Sequence, residues 1–176
     1  MSYFDQLAAA MALVSRNPKA VFIGQGCGCQ GTGMSGSFKD VPEVQRIEFP
    51  VAEDLQLGMS IGMALEGFLP VSVFPRFNFL LCAGNQLVNH LDRLPIYSKG
   101  GYNPKVLIRV AIPSTHPFNP QSQHDDDFTA AFSWMLRWVH IEVLETAATI
   151  VPLYQQALDR EGSTILVEKS ALYRTE

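Results

Sequence analysis

Two kinds of apolar run alternate along the chain. Short, mostly apolar runs, typical of buried parallel strands, recur six times. They span residues 20–23, 46–49, 71–74, 106–110, 138–143 and 163–168. The segments between several of them carry apolar residues at helical spacing instead. This alternation predicts an α/β fold: a single three-layer domain over residues 1–176, with a mostly parallel sheet of about six strands and helices on both faces.

Cap and breaker residues predict where several helices start and stop. Ser2 can cap a first helix. Asn78 is expected to cap a long helix that continues almost to Gly100. A short helix is expected around residues 128–135. A last helix is expected over residues 149–160, where Pro152 is tolerable because it would fall in the first turn.

The central helix, predicted within residues 50–67, has the most distinctive pattern in the chain. No charged residue lies between Asp54 and Glu66. Leucine or isoleucine recurs every fourth residue on one face, and glycines form a second stripe beside it. These residues are Leu57, Ile61 and Leu65, and Gly58 and Gly62. The pattern predicts a helix that is buried all round, with glycines that let another backbone approach closely.

Glu53 stands at the entrance to this central helix. The helix dipole favours its charged form there, while burial would favour its protonated form. A carboxyl group between these two influences is a candidate for proton chemistry. The ordinary alternative is a first-turn glutamate that stabilises the start of the helix.

Further candidates lie at the carboxyl ends of the predicted strands, where parallel sheets bind their ligands. Glu53, Phe79 and His124 all fall at that end. Phe79 belongs to an aromatic cluster that could be core or could stack on a flat heterocycle. His124 could be an ordinary surface histidine, and we interpret the three aspartates that follow it as a cap for the next helix.

Composition and charge narrow the classes of partner. The chain has 176 residues, 47% of them hydrophobic and only 17% charged, with a net charge of −4. The acidic balance argues against binding nucleic acid, and no basic run or long apolar stretch indicates a membrane. Sparse charge suggests faces covered by partner subunits. Three cysteines are most simply reduced thiols, so we expect a cytoplasmic protein.

A glycine-rich loop (residues 24–36) follows the first strand and raises an alternative function. Its segment from Gly26 to Gly31 fits G-x-G-x-x-G, and Glu48 lies at about the distance expected of a ribose-binding acid. An NAD-dependent oxidoreductase is therefore one hypothesis. It requires a helix to open at the third glycine so that its N-terminus meets the pyrophosphate, and the following residues lack helical periodicity. A mobile loop with a structural or interfacial role is the simpler interpretation.

The pattern for a metal site is weak. Cys27 and Cys29 could combine with His116 or His124, but the spacing of one residue and the lack of a second pair do not suit structural zinc. We therefore predict no metal site in this chain.

Several motifs in register resemble a known family. They are Pro50-Val-Ala-Glu53 followed by Gly58 and Gly62, Phe74-x-x-Phe-Asn-Phe79, Asn85-Gln-Leu-Val-Asn89, Gly100-Gly101, Val106-Leu-Ile-Arg109 and Ser122-Gln-His124. Together they resemble the pyrimidine-binding domain of transketolase-type thiamine-diphosphate enzymes. The chain looks most similar to the beta subunit of the decarboxylating component of 2-oxo-acid dehydrogenases.

The resemblance implies a role for each matching residue. Glu53 would hydrogen-bond the 1′ nitrogen of the aminopyrimidine ring and so promote loss of the thiazolium proton. Phe79 would stack on the aminopyrimidine, and Pro75 would line the same pocket. His124 would stand near the reacting centre. The helix with Gly58 and Gly62 would cross its counterpart in a tight dimer.

Departures from the family pattern imply a divided enzyme. The Gly-Asp-Gly…Asn clamp for magnesium and diphosphate is absent from this sequence, as is the family's C-terminal transketolase domain. The resemblance therefore implies thiamine diphosphate shared with a diphosphate-binding partner subunit, which holds the magnesium, in a heterotetramer. The expected substrate is a 2-oxo acid or a ketose. A non-catalytic assembly domain is the remaining alternative.

Overall fold

A six-stranded sheet organises the chain. The computed structural model describes residues 1–114, 121 and 123–174. All strand pairs in it are parallel, and the order across the sheet is β2-β1-β3-β4-β6-β5. The strands are β1 (Ala20–Gly24), β2 (Arg46–Glu48), β3 (Leu69–Phe74), β4 (Leu107–Ile112), β5 (His140–Val143) and β6 (Thr164–Lys169). The predicted three-layer α/β fold is confirmed.

Helices cover both faces of this sheet. They are α1 (Tyr3–Ser15), α2 (Glu53–Leu65), α3 (Phe77–Cys82), a π-helix (Gln86–Leu91), α4 (Leu94–Tyr97), α5 (Thr129–Met135) and α6 (Ala147–Asp159). On one face α1 packs against α6. On the other, α2, α3, the π-helix and α5 contribute to a second apolar core. β3 lies between the two cores and is buried along its whole length, as expected of an inner parallel strand.

The first helix starts as its sequence predicts. Ser2 lies at its N-cap, and its hydroxyl accepts a hydrogen bond from the Asp5 N–H at 3.1 Å. Asp5 in turn accepts one from the Ser2 N–H at 3.2 Å, which completes a capping box.

The single long helix expected after Asn78 is wrong. The structure breaks this stretch into α3, the π-helix and α4, and Arg76 is the N-cap residue of α3. The Asp92 N–H reaches back five residues to the Leu87 carbonyl at 2.9 Å, which is the wider turn of a π-helix. Pro95 then occupies the first turn of α4, where its missing N–H costs nothing.

The placement of Pro152 in a first helical turn is also wrong. Helix α6 begins at Ala147, two residues earlier than expected, so Pro152 lies in its second turn. Proline cannot donate to the carbonyl four residues back, which belongs to Ala148. Both residues are exposed, so water can satisfy that carbonyl.

No helix within the described ranges is long and apolar enough to cross a membrane.

Asp92 links the π-helix to the beginning of β5. Its side chain is fully buried, and its Oδ1 accepts hydrogen bonds from the backbone N–H groups of Arg137, Trp138 and Val139 at 2.9, 2.8 and 3.0 Å. Three backbone donors would lose their acceptor if this carboxylate were removed.

We predict that Asp92→Ala lowers the free energy of unfolding by about 3 kcal/mol, since buried N–H groups are left unsatisfied. Urea denaturation followed by circular dichroism measures the change. Asp40→Ala, at an exposed position, is the control and should differ from the unsubstituted chain by less than about 0.5 kcal/mol. Equal midpoints for the two variants would contradict the prediction.

Candidate functional site

Gln56 fixes the first turn of α2 to the sheet. Its side chain is 2% exposed, and its amide nitrogen lies 3.3 Å from the Ile23 carbonyl, 3.0 Å from Ser72 Oγ and 3.1 Å from the Val73 carbonyl. These acceptors lie near the carboxyl ends of β1 and β3. The start of α2 is therefore held at the end of the sheet where parallel folds bind ligands.

The two carboxylates at the head of α2 have different surroundings. Asp54 Oδ2 accepts a hydrogen bond at 3.2 Å from the side-chain amide of Gln86, in the π-helix. Glu53 is partly exposed, and its carboxylate forms no hydrogen bond or ion pair with any residue the structure describes. One carboxylate is thus held within the chain, and its neighbour is available to a ligand.

The outer face of α2 is open to solvent in this chain, so the expected burial all round is wrong for the chain alone. Leu57 and Ile61 are in the core, but Leu55, Met59 and Leu65 are 57%, 42% and 43% exposed.

The two glycines of α2 have no crowded neighbour. An added Cβ at Gly58 would make ordinary contact with Gln86, and at Gly62 it would meet open space. Contacts within the described chain therefore do not require glycine at either position.

Pro75 and Phe79 line a cavity of about 910 Å³ beside the carboxyl ends of β3, β4 and β6. Residues 31–34 of the glycine-rich loop, with Gln25, form one wall. The segment after β6, including Tyr173, forms another. Glu53 is not among the described residues that line this cavity.

His124 packs against Phe79. The ring centroids are 5.4 Å apart with an interplanar angle of 73°, an edge-to-face contact. The His124 Nδ1 atom is buried and has no hydrogen-bond partner among the described residues. Buried ring nitrogens normally have one, so this unsatisfied atom is an exception.

The aspartates after His124 position the neighbouring elements. Asp127 Oδ1 accepts from the Thr129 N–H at 2.9 Å at the start of α5, although the N-cap residue of that helix is Phe128. Asp126 accepts from Asn78 at 3.0 Å and so links this loop to α3. Ser122 and His116 lie outside the described residues.

The predicted site residues therefore fall into two groups. Pro75 and Phe79 line the cavity, and His124 contacts Phe79. Glu53 is at the head of α2, which packs against α3 and β3.

The glycine-rich loop does not have the geometry of a dinucleotide site. After Gly31 comes a short 3₁₀ turn, Ser35–Phe38, rather than a helix whose N-terminus could face a pyrophosphate. Glu48 instead accepts hydrogen bonds from the N–H groups of Gly26, Gly28 and Cys29 at 2.9, 2.8 and 3.2 Å. Burial would raise the pKa of Glu48, but these donors outweigh it and hold the pKa below its ordinary value. The expected ribose-binding acid is thus already bound by its own loop.

The cysteines remain free thiols. Cys27 is buried, which raises its pKa to about 12 and makes it a poor metal ligand or nucleophile. Within residues 1–114, 121 and 123–174, no cluster of three or more histidine, cysteine or acidic residues could hold a metal ion.

A buried ion pair joins β4 to β6, and no ion pair between these strands was predicted from the sequence. Arg109 and Glu168 are both fully buried and form a two-pronged pair through Nε–Oε1 and through Nη2–Oε2, the latter at 3.0 Å. Burial alone would lower the pKa of Arg109, but the Glu168 carboxylate raises it. The available signal was a charged residue within each of two apolar strands, which requires a partner when buried.

The ion pair extends to two segments beside the cavity. Arg109 Nη1 donates to Ser37 Oγ at 2.7 Å, next to the glycine-rich loop, and Tyr173 Oη donates to Glu168 Oε2 at 2.6 Å. The guanidinium also lies over the Phe38 ring, 5.2 Å from its centroid.

Sequence comparison identifies relatives along almost the whole chain. No family model matches it. The beta subunit of the pyruvate dehydrogenase E1 component from Cyanidium caldarium is 32% identical over 181 residues, covering 98% of this chain and 53% of that protein. The chain is a homologue of such beta subunits. The 3-methyl-2-oxobutanoate dehydrogenase subunit beta of Mycobacterium tuberculosis (strain CDC 1551 / Oshkosh) is 30% identical over 103 residues, 58% of this chain and 27% of that protein.

A solved structure shares the fold. A protein described as "Split gene transketolase, inactive beta4 tetramer" superposes with a TM-score of 0.74 at 16% identity, covering 97% of this chain and 52% of that one. The resemblance to a transketolase-type pyrimidine domain and to the E1 beta subunits is confirmed. The chain spans about half the length of the curated relatives it matches.

We predict that Arg109→Met lowers the free energy of unfolding by about 3–5 kcal/mol, because Glu168 would remain buried without a counter-charge. The double variant Arg109→Met/Glu168→Leu should recover part of that loss, since it leaves no unpaired charge. Urea unfolding of both variants tests this. A double variant less stable than the single one would contradict it.

Proposed function

We propose that this chain is the pyrimidine-binding subunit of a divided thiamine-diphosphate enzyme. The main observation behind this proposal concerns Glu53. Its carboxylate, at the head of α2, has no hydrogen-bond or ion-pair partner among the described residues, whereas the adjacent Asp54 is hydrogen-bonded to Gln86. Homology to the E1 beta subunits over 98% of the chain supports the same proposal.

The residues at the site fit the aminopyrimidine half of the cofactor. Phe79 offers an aromatic ring for stacking and Pro75 an apolar wall, both at the cavity. Glu53 lies outside that lining, at the head of α2, and would bring a carboxylate to a ring nitrogen of a cofactor that reaches both places. The unsatisfied Nδ1 of His124 supplies one more polar atom beside Phe79. When bound, thiamine diphosphate supplies a carbon nucleophile that the twenty side chains lack.

Each residue then has a separate task. Glu53 would hold or share a proton at its carboxylate and so orient the aminopyrimidine. Phe79 would exclude water from one face of that ring and fix its plane. His124, packed on Phe79, would hold or move a proton near the substrate through a ring nitrogen.

The exposed face of α2 suggests a surface, close to Glu53, that binds another subunit. Leu55, Met59 and Gly62 share this open face, and Val51, two residues before Glu53, is 76% exposed. Exposed apolar side chains clustered on and beside one helix are expected to be covered by protein. We propose that this face joins chains through the Gly58/Gly62 helix, as in a heterotetramer, and that a diphosphate-binding subunit carries the magnesium and the rest of the cofactor.

The proposed reaction is cleavage or transfer at a carbon–carbon bond of a 2-oxo acid or a ketose. The relatives' names include pyruvate and 3-methyl-2-oxobutanoate dehydrogenases, and the structural neighbour's description includes transketolase. A non-catalytic assembly domain is the second candidate, favoured by the description of that neighbour as an inactive tetramer.

We predict that Glu53→Gln reduces turnover of the complex reconstituted with a diphosphate-binding subunit by about 10²–10⁴-fold, since the amide cannot hold a proton for the ring nitrogen. Asp54→Asn is the matched control. It changes the next carboxylate, which Gln86 already holds, and should reduce turnover by less than about threefold.

The folding of both variants is checked by their urea midpoints. Equal turnover in Glu53→Gln and the unsubstituted chain would reject a catalytic role and favour the assembly domain. A loss of equal size in both variants would show that the helix start matters, rather than Glu53 itself.

We predict that Met59→Asp breaks the association of this chain, because burying an unpaired charge in an apolar interface is costly. Analytical ultracentrifugation, alone and with the diphosphate-binding subunit, measures the assembly state. Val44→Asp, at a position 92% exposed outside α2, is the control and should assemble normally. Unchanged assembly of Met59→Asp would exclude this face from the interface.

A further inference from the structure

Backbone N–H groups at the start of the glycine-rich loop converge on the exposed carboxylate of Glu48. Both carboxylate oxygens take part: Oε1 accepts from Gly26, and Oε2 from Gly28 and Cys29. Successive N–H groups that converge in this way form a concavity for an anion. Here the anion is supplied by the chain itself.

Glycine is required at two of the three donor positions. Gly26 has a φ of +76°, and a Cβ there would lie 2.5 Å from Ser35 Oγ and 2.7 Å from Thr32 Oγ1. A Cβ at Gly28 would lie 2.8 Å from the Glu48 Cβ. The G-x-G spacing that resembles a dinucleotide motif is thus explained by close approach to Glu48 and to the loop's own hydroxyl groups.

The second half of the loop continues the same hydrogen-bonded structure toward the cavity. Ser35 Oγ accepts from the Gly31 N–H at 3.3 Å and the Thr32 N–H at 3.1 Å, and Thr32 Oγ1 accepts from the Met34 N–H at 3.2 Å. Residues 31–34 line the cavity beside Phe79. Because Gly26 packs directly on Thr32 and Ser35, the part bound by Glu48 supports the part that forms the wall.

We propose that Glu48 is a positioning residue for the cavity: its carboxylate is the built-in anion of the 26–29 backbone and holds the glycine-rich loop in place as one wall of the cavity that Phe79 also lines. Glu48 does not itself line the cavity among the described residues, so it acts through the loop. On this proposal the hydrogen bonds to Glu48 restrict the motion of the loop. The inference rests on the proposed function only in taking this cavity as the place where a ligand binds.

Thiol labelling and amide exchange test this proposal without requiring activity. Cys27 is buried next to Gly26 and Gly28, while Cys82 is exposed on α3 and serves as the internal reference thiol. In Glu48→Ala, alkylation of Cys27 by iodoacetamide and exchange of the Thr32 and Met34 amides should each accelerate about tenfold or more. Exchange of the β4 amides should stay unchanged, because a general loss of stability would accelerate them as well.

Two further variants isolate the charge. Glu48→Gln keeps the size of the side chain and one acceptor oxygen but loses the negative charge. Its rates of Cys27 alkylation and loop amide exchange should therefore lie between those of the unsubstituted chain and those of Glu48→Ala. Glu43→Gln, which removes an exposed carboxylate paired with Arg46 at 3.6 Å, is the control and should behave like the unsubstituted chain.

Each other result would overturn the proposal in an identifiable way. Cys27 and loop amides that stay protected in Glu48→Ala would show that the loop does not depend on Glu48. Full protection in Glu48→Gln would show that packing, not the anion, holds it. Acceleration in the loop and in β4 alike would assign Glu48 to general stability. None of these results bears on Glu53, so the proposed function is tested separately.

Discussion

The buried pair of Arg109 and Glu168 is the interaction on which the ligand end of this fold depends. Two charges without access to water are tolerable only when they are paired and hydrogen-bonded, and here Ser37 and Tyr173 add hydrogen bonds to the ion pair. These four side chains come from two strands, the end of the glycine-rich loop and the segment after β6. Because the buried charges are destabilised when these partners are lost, the ion pair favours one arrangement of the cavity walls.

The same end of the sheet has a second polar anchor in Gln56. By bonding to β1 and β3 it fixes the axis of α2, and so fixes where Glu53 stands. Gln56 and the Arg109–Glu168 pair are hydrogen-bonded within the chain. Glu53, in contrast, has no partner among the described residues, and the nearby face of α2 is apolar and exposed. A site completed by another chain accounts for both features, because a neighbouring subunit would cover the apolar face and bring the rest of the cofactor site.

The glycine-rich loop shows how one sequence motif can serve two physical purposes. Glycines let a backbone approach a phosphate closely, and they equally let it approach a carboxylate of the same chain. The two uses of the motif differ in the secondary-structure element that follows the glycines. A helix would direct its N-terminus at a pyrophosphate, whereas the 3₁₀ turn here directs Ser35 and Ser37 back into the loop and toward Arg109.

Sequence alone determined the layers, the six strands and the end of the sheet where ligands bind, because burial of parallel strands imposes continuous apolar runs that are visible locally. It also identified Glu53, Phe79 and His124 as candidates, through local motifs. Only the tertiary structure decided that Phe79 and His124 touch, that Glu53 is not among the residues lining the cavity, that Glu48 binds the glycine-rich loop, and that Arg109 pairs with Glu168. These contacts join residues 19 to 59 positions apart. Within the stretch expected to be one long helix, Asp92 and Gln86 likewise hydrogen-bond residues distant in sequence. Local periodicity in the sequence does not predict such pairings, because they form only when the strands have assembled.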